Sequence, residues 1–226
     1  MSAKALRQLF HSLLLTLFVT SLLEADDHTF RWTFDDTAAG AILYDWHREA
    51  TGSDGVPLWR VEQIDDAPSP PHAIVMARPA QKTGWFGFGN FFNLLFTDVP
   101  QMKDGSISVA FKAIHGTIDQ GGGPMWRVKD RNNYYVVRFN PLENNFRLYY
   151  VKSGHRHLIA NADIRLKEGW HRIDVTQQGT TIRCRLDGRL LLQAQDDHIQ
   201  GAGGVGLWSK ADAVTAFDDF LVKVDR

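Results

Sequence analysis

A two-residue rhythm sets what this chain can become. In TTIRCRLDGRLLLQAQ, residues 180–195, Ile182, Cys184 and Leu186 alternate with Arg183 and Arg185. The Asp187-Gly188 pair that follows tolerates the positive φ of a two-residue hairpin turn. Side chains on a strand point alternately to its two faces, so this is the pattern of a half-buried strand and not of a helix. The rhythm recurs along the chain. Phe30, Trp32 and Phe34 alternate with Arg31 and Thr33; Ile107, Val109 and Phe111 with Ser106, Ser108 and Ala110; Ile173 and Val175 with Arg172 and Asp174. Phe220, Val222 and Val224 share a face near the end. Sustained helical periodicity is scarce after residue 25, and SPPH, GGGP and GAGG punctuate strands without dividing domains. No repeat of fixed period and no low-complexity linker occurs. The pattern predicts an all-β fold, a two-sheet antiparallel jelly-roll β-sandwich, in a single domain over residues 26–226.

Residues 1–25 differ from the rest. Lys4 and Arg7 precede an apolar run over residues 9–23, after which the polar residues Asp26-Asp27-His28 begin. The run is short for a membrane span and fits the apolar core of a secretory signal, with cleavage expected after Ala25. An uncleaved N-terminal anchor is the alternative. Either way the folded part is expected to be exported, to a periplasm or the cell exterior, with no transmembrane domain once the signal is removed. The formal charge of the chain is −1, which argues against nucleic acid as a partner, since that binding rests on many phosphate contacts. Cys184 is the single cysteine. No intrachain disulfide can form, and its place between Ile182 and Leu186 marks a small buried residue, not a catalytic thiol.

Three stretches together carry a resemblance: GPMWRVKDRNNYYVVRFNPLENNFRLYY, WHRIDVTQQGTTIRCRLDGRLLLQAQD and GGVGLWSKADAVTAFDDFLV. Their order, with Trp-His-x-Ile-x-Val, an Asp-Gly hairpin, Gly-x-Gly-Leu-Trp and a Phe-Asp-Asp strand, resembles concanavalin A-like lectin/glucanase domains. It is closest to the laminin G-like branch that includes bacterial 3-keto-disaccharide hydrolase-type domains. The resemblance implies two antiparallel sheets of six or seven strands, one with a concave outer face across which carbohydrate lies. It implies no single activity, because such domains include lectins, carbohydrate-binding modules, glycosidases, lyases and adhesion domains.

Within that frame the hairpin NNYYVVRFNPLENNFRLYY, residues 132–150, becomes informative. If Val137, Phe139 and Leu148 face the core, then Tyr134, Arg138, Arg147 and Tyr149 line the opposite surface. Rings stack on the C–H faces of sugars, and a planar guanidinium offers directed donors to hydroxyl pairs or carboxylates. In MWRVKD, Trp126 is expected in the core and Arg127 on the ligand side; in GLWSKAD, Trp208 and Lys210 reach that side if Leu207 is core. The ligand-binding set is therefore Arg127, Tyr134, Arg138, Arg147, Tyr149, Trp208 and Lys210, each weighed against an ordinary packed or solvated role. WFGFGNFFNLLFTD, residues 85–98, reads as a core strand with a bulge in preference to a ligand rim.

Carboxylates test the enzyme idea. The Glu-x-Asp-x-x-Glu strand motif of related laminarinase-type enzymes, which sets nucleophile and acid/base on one face, is absent, and beyond residue 25 only Glu49, Glu62, Glu143 and Glu168 occur. Catalytic residues are unassigned, with Asp130 or His115 as the nearest candidates for a base. His155 and His157 share a face at a hairpin end without a third metal ligand. Asp35, Asp36 and Asp218 are weak candidates for a structural calcium ion; no other cofactor is expected. The reading is an exported carbohydrate-binding domain of a bacterial envelope. Its alternatives are a hydrolase or lyase acting on oxidised (3-keto) glycosides and a laminin G-like adhesion domain with a protein partner.

Overall fold

The computed structural model describes residues 28–80 and 91–225. The expected signal segment and residues 85–90 of the phenylalanine-rich stretch lie outside the described residues. Fifteen strands are present among the described residues: β1 Thr29–Trp32, β2 His47–Thr51, β3 Leu58–Gln63, β4 His72–Arg78, β5 Phe92–Met102, β6 Gly105–His115, β7 Gly122–Asp130, β8 Asn133–Asn140, β9 Asn145–Lys152, β10 His155–Asp163, β11 His171–Gln178, β12 Thr181–Leu186, β13 Arg189–Gln195, β14 Gly203–Lys210 and β15 Val214–Val224. No helix of the described residues is long and apolar enough to cross a membrane.

The strands form two sheets. One has eight strands in the order β13-β12-β11-β6-β15-β4-β3, with β1 also pairing β15; the other has seven, in the order β10-β9-β8-β7-β14-β5-β2. Every pairing is antiparallel. Crossovers such as β7-β14-β5 knit distant parts of the chain together, as a jelly roll requires.

Alternation decides what enters the interior. Ile107, Val109 and Phe111 of β6, Ile173 and Val175 of β11, and Ile182, Cys184 and Leu186 of β12 meet Trp126, Tyr135, Val137, Phe139, Phe146, Leu148 and Leu207 of the other sheet in one core. Asp187 has φ 49° and Gly188 φ 76°, the two-residue turn that the Asp-Gly pair predicts. Burial pushes the Cys184 thiol far above its ordinary pKa, so it is packing and not a nucleophile.

The middle of β15 departs from simple alternation. Asp219 adopts φ 50° within a register shift between Asp218 and Leu221. Asp218 turns to accept hydrogen bonds from the Ser69 and Asp219 N–H groups (2.7 and 2.6 Å), while Asp219 pairs with Arg31 and Arg172.

Candidate functional site

On the seven-stranded sheet the side facing away from the core is also a packed surface. Tyr134, Val136, Arg138 and Asn140 of β8 lie in register with Val151, Tyr149, Arg147 and Asn145 of β9. Met125 of β7, Trp208 of β14 and Phe92, Leu94 and Phe96 of β5 continue the layer, and most of these residues form a second buried apolar cluster. Between Arg138 and Trp208 the sheet has no side chain. Gly123 pairs with Trp208, and a Cβ there would lie 2.0 Å from the Val137 carbonyl oxygen. The close strand approach demands glycine, and the glycine leaves bare backbone between a cation and an aromatic ring.

This face is curled inward. Strands in a sheet are about 4.8 Å apart, so β2 and β8, four spacings apart, would be roughly 19 Å apart if flat. Yet Thr51 of β2 hydrogen-bonds both the Tyr134 hydroxyl (2.8 Å) and the Arg131 carbonyl at the β7–β8 turn. Arg156 of β10 carries its guanidinium carbon to 5.1 Å from the Phe92 ring of β5, five strands away. The result is a trough whose opposite corners meet.

Charged groups are set into this trough. Arg138, 1% exposed, donates from Nη1 to Asn145 Oδ1 and from Nη2 to Glu143 Oε2 at 2.9 Å and to the Tyr149 hydroxyl at 3.4 Å. Its Nε is buried without a hydrogen-bond partner. Glu143 Oε2 also accepts from Asn145 Nδ2 (2.9 Å) and Arg147 Nη1 (3.3 Å). Burial works to raise the Glu143 carboxyl, but hydrogen bonds from Asn145 and Arg138 and the charges of Arg138 and Arg147 outweigh it, holding the group at about 2. Arg147 further donates from Nε to Asn161.

A second carboxylate arrives on a loop. The Asp212 carboxylate accepts the N–H groups of Thr117, Ile118 and Asp119, and this holds Asp119 where its Oδ1 accepts from Asn140 Nδ2 at 2.8 Å. Lys210 Nζ lies 2.9 Å from Asp119 Oδ2, an ion pair between two largely buried side chains. Burial raises the Asp119 carboxyl above its ordinary range against the pull of Lys210. Arg156 completes the set. Its guanidinium sits 4.3 Å from the Tyr149 ring centroid and 5.9 Å from that of Trp208, and its Nη1 is buried without a hydrogen-bond partner.

The sequence-derived candidates divide clearly. Tyr134, Arg138, Arg147, Tyr149, Trp208 and Lys210 all lie on this outer side. Tyr134 and Trp208 are interior residues of the second cluster, joined by a Trp208 Nε1 to Tyr134 hydroxyl hydrogen bond of 3.2 Å; the Tyr134 phenol is far above its ordinary pKa through burial. Arg127 is the correction. It adopts φ 47° where the β7–β8 register shifts, and its guanidinium turns away to the Lys103, Ile199 and Gly179 carbonyls and Asp104. A bulge breaks the two-residue rhythm, so the face inferred from Trp126 does not carry over to Arg127. Trp126 itself is in the core.

Three residues escaped the sequence reading. Asp119 and Glu143 gave no signal because loops bring them in. Arg156 had one: it lies between His155 and His157 on β10, so it points to the opposite side from both. The histidines face elsewhere, His157 stacking on Tyr150 at 4.6 Å. Asp130 accepts hydrogen bonds from Asn132 and Asn133 in its own turn, and His115 ends β6 exposed. Among the described residues no three His, Cys, Asp or Glu side chains gather as a metal site. Asp35 and Asp218 approach each other through Ser69, whose hydroxyl and N–H they accept respectively.

No protein-family model and no curated protein matches the chain. Solved structures do. Carbohydrate binding module CBM66 from Bacillus subtilis aligns with TM-score 0.60 and 15% identity, covering 79% of this chain and 95% of that one. The laminarinase catalytic domain from Thermotoga maritima aligns with TM-score 0.59 and 12% identity over 87% and 97%, and Bacillus licheniformis beta-glucanase with TM-score 0.53 and 14% identity over 88% and 98%. The fold is a concanavalin A-like jelly roll. In this jelly roll the curled side of the seven-stranded sheet gathers aromatic rings and two arginines with unpartnered donors.

Proposed function

We propose that this protein is an exported carbohydrate-binding module that takes a glycan at the curled outer side of the seven-stranded sheet. One observation carries the reading: Arg138 Nε and Arg156 Nη1 are buried, lack hydrogen-bond partners and belong to guanidinium groups that both lie against Tyr149. Burying polar atoms without partners costs about 1–3 kcal/mol each, so their grouping at one place is the mark of a site that a hydroxyl-rich molecule completes. The buried Tyr149 ring lies under the Arg156 guanidinium and holds it in place. The solved structures of the same fold include a carbohydrate binding module and glucan-cleaving enzymes, and the N-terminal 25 residues support export.

Binding is favoured over cleavage because both carboxylates of the trough are engaged by cations: Glu143 by Arg138 and Arg147, Asp119 by Lys210. Cleavage stands as the second reading, since environment pushes these two carboxyls in opposite directions, as an acid and its partner require. Screening the protein on a glycan array tests the main reading. Binding that disappears in Arg138→Ala and Tyr149→Ala, with the circular dichroism spectrum unchanged, supports it; no glycan bound overturns it. Turnover of β-glucans or 3-keto-glucosides that Asp119→Asn abolishes moves the assignment to an enzyme.

A further inference from the structure

Arg156 is the most unusual cation of the molecule. Its guanidinium carbon is within 5.9 Å of the ring centroids of Tyr149, Phe92 and Trp208, and no carboxylate or carbonyl among the described residues accepts from it. A guanidinium has five N–H donors and no acceptor, and a partly buried cation with no ion pair of its own is costly to keep. Arg138 adds an unspent Nε nearby. Of the four cations on this face, Arg138 and Arg147 pair with Glu143 and Lys210 pairs with Asp119, and among the described residues Arg156 alone has no such ion pair.

A neutral sugar hydroxyl satisfies an N–H donor but brings no charge. A carboxylate or sulfate does both, in a planar or tripodal geometry that a guanidinium matches. Resting on the glycan-binding reading above, we infer that the glycan is anionic, its carboxylate or sulfate groups pairing with Arg156 and with the free Nε of Arg138. Arg156 sets the preference for charged sugars.

The test compares uronate-bearing, sulfated and neutral oligosaccharides on one array at near-physiological salt, with wild type, Arg156→Gln and Arg156→Lys. The tightest ligands are acidic, and Arg156→Gln weakens them by about 10- to 100-fold, the effect of a charge-assisted hydrogen bond. Neutral sugars lose far less. Arg156→Lys keeps the charge without the planar fork and falls between; it carries the test if the glutamine variant does not fold. Whether uronates or sulfated sugars suffer the larger loss identifies the substituent. Tightest binding to neutral glycans, or acidic ligands indifferent to Arg156→Gln, overturns the inference and leaves the glycan-binding reading standing. A protein that binds no glycan at all overturns both.

Discussion

The outward sides of β12 in one sheet and of β8 and β14 in the other obey different rules. On the eight-stranded sheet, β12 alternates half-buried and buried residues along its whole length, with Arg183 and Arg185 turned to solvent. On the seven-stranded sheet, β8 is buried at every position from Tyr134 to Asn140, and β14 from Gly203 to Ser209. A sheet that covers one core needs only one buried side. A sheet buried on both sides has been given a second task, and here that side also holds the guanidinium of Arg138 and the carboxylate of Asp119. The contrast separates a wall that only encloses from one that also receives.

Substituting the two tryptophans attacks this contrast most directly. If the outer cluster is a true core, Trp208→Ala costs about 3–5 kcal/mol, as much as Trp126→Ala on the inner side; urea unfolding of both variants measures it. A loss below about 1 kcal/mol for Trp208→Ala would return the outer side to ordinary surface. Arg138→Met is next, at about 2–3 kcal/mol, because Asn145 and Glu143 lose a buried donor but Glu143 is 44% exposed and partly rehydrates. The urea midpoint should fall with an unchanged slope.

Acid sensitivity sharpens the comparison further, since one carboxylate on each sheet is shifted in the opposite sense. Burial, with the charges of Asp219 and Asp35, pushes the Asp218 carboxyl on the eight-stranded sheet up to about 6, against hydrogen bonds from Ser69 and Asp219. The folded state then holds the proton more tightly than the unfolded state. The stability linked to this group is present at acidic pH and falls by about 2 kcal/mol as pH rises from 4 to 7. Asp218→Asn should remove that fall, read as a flatter melting temperature across this range. Glu143, held at about 2, acts the other way: its contribution is present above its unfolded value near 4.5 and is lost as pH drops toward 2. Glu143→Gln should flatten the acid limb only. Arg185→Ala, on the solvent side of β12, is the control, with a change within about 0.5 kcal/mol.

Much of the architecture was written in the period-two alternation. Ile182, Cys184 and Leu186, or Val137 and Phe139, take the side their spacing demands, and Asp187-Gly188 turns where its chemistry allows. The outer burial of Tyr134 and Trp208 was not legible, because it depends on how far the whole sheet curls, and no local pattern records that. Arg127 misled because a bulge is a one-residue slip that nothing in MWRVKD announces. Arg156 was legible in principle: the parity that groups His155 with His157 also sends the residue between them to the trough. Asp119 is placed by a loop pinned to Asp212, a contact spanning 93 residues that spacing cannot reveal.

The clasp from Thr51 to Tyr134 and to the Arg131 carbonyl has a consequence for how the molecule works. Two corners of the sheet are latched together in the free protein, so its curvature is already set when a guest arrives. Little of the association energy goes into bending the receptor, and the entropic toll of ordering falls mainly on the guest. Such a receptor discriminates by rigid fit, and releasing the latch would cost selectivity before it cost shape.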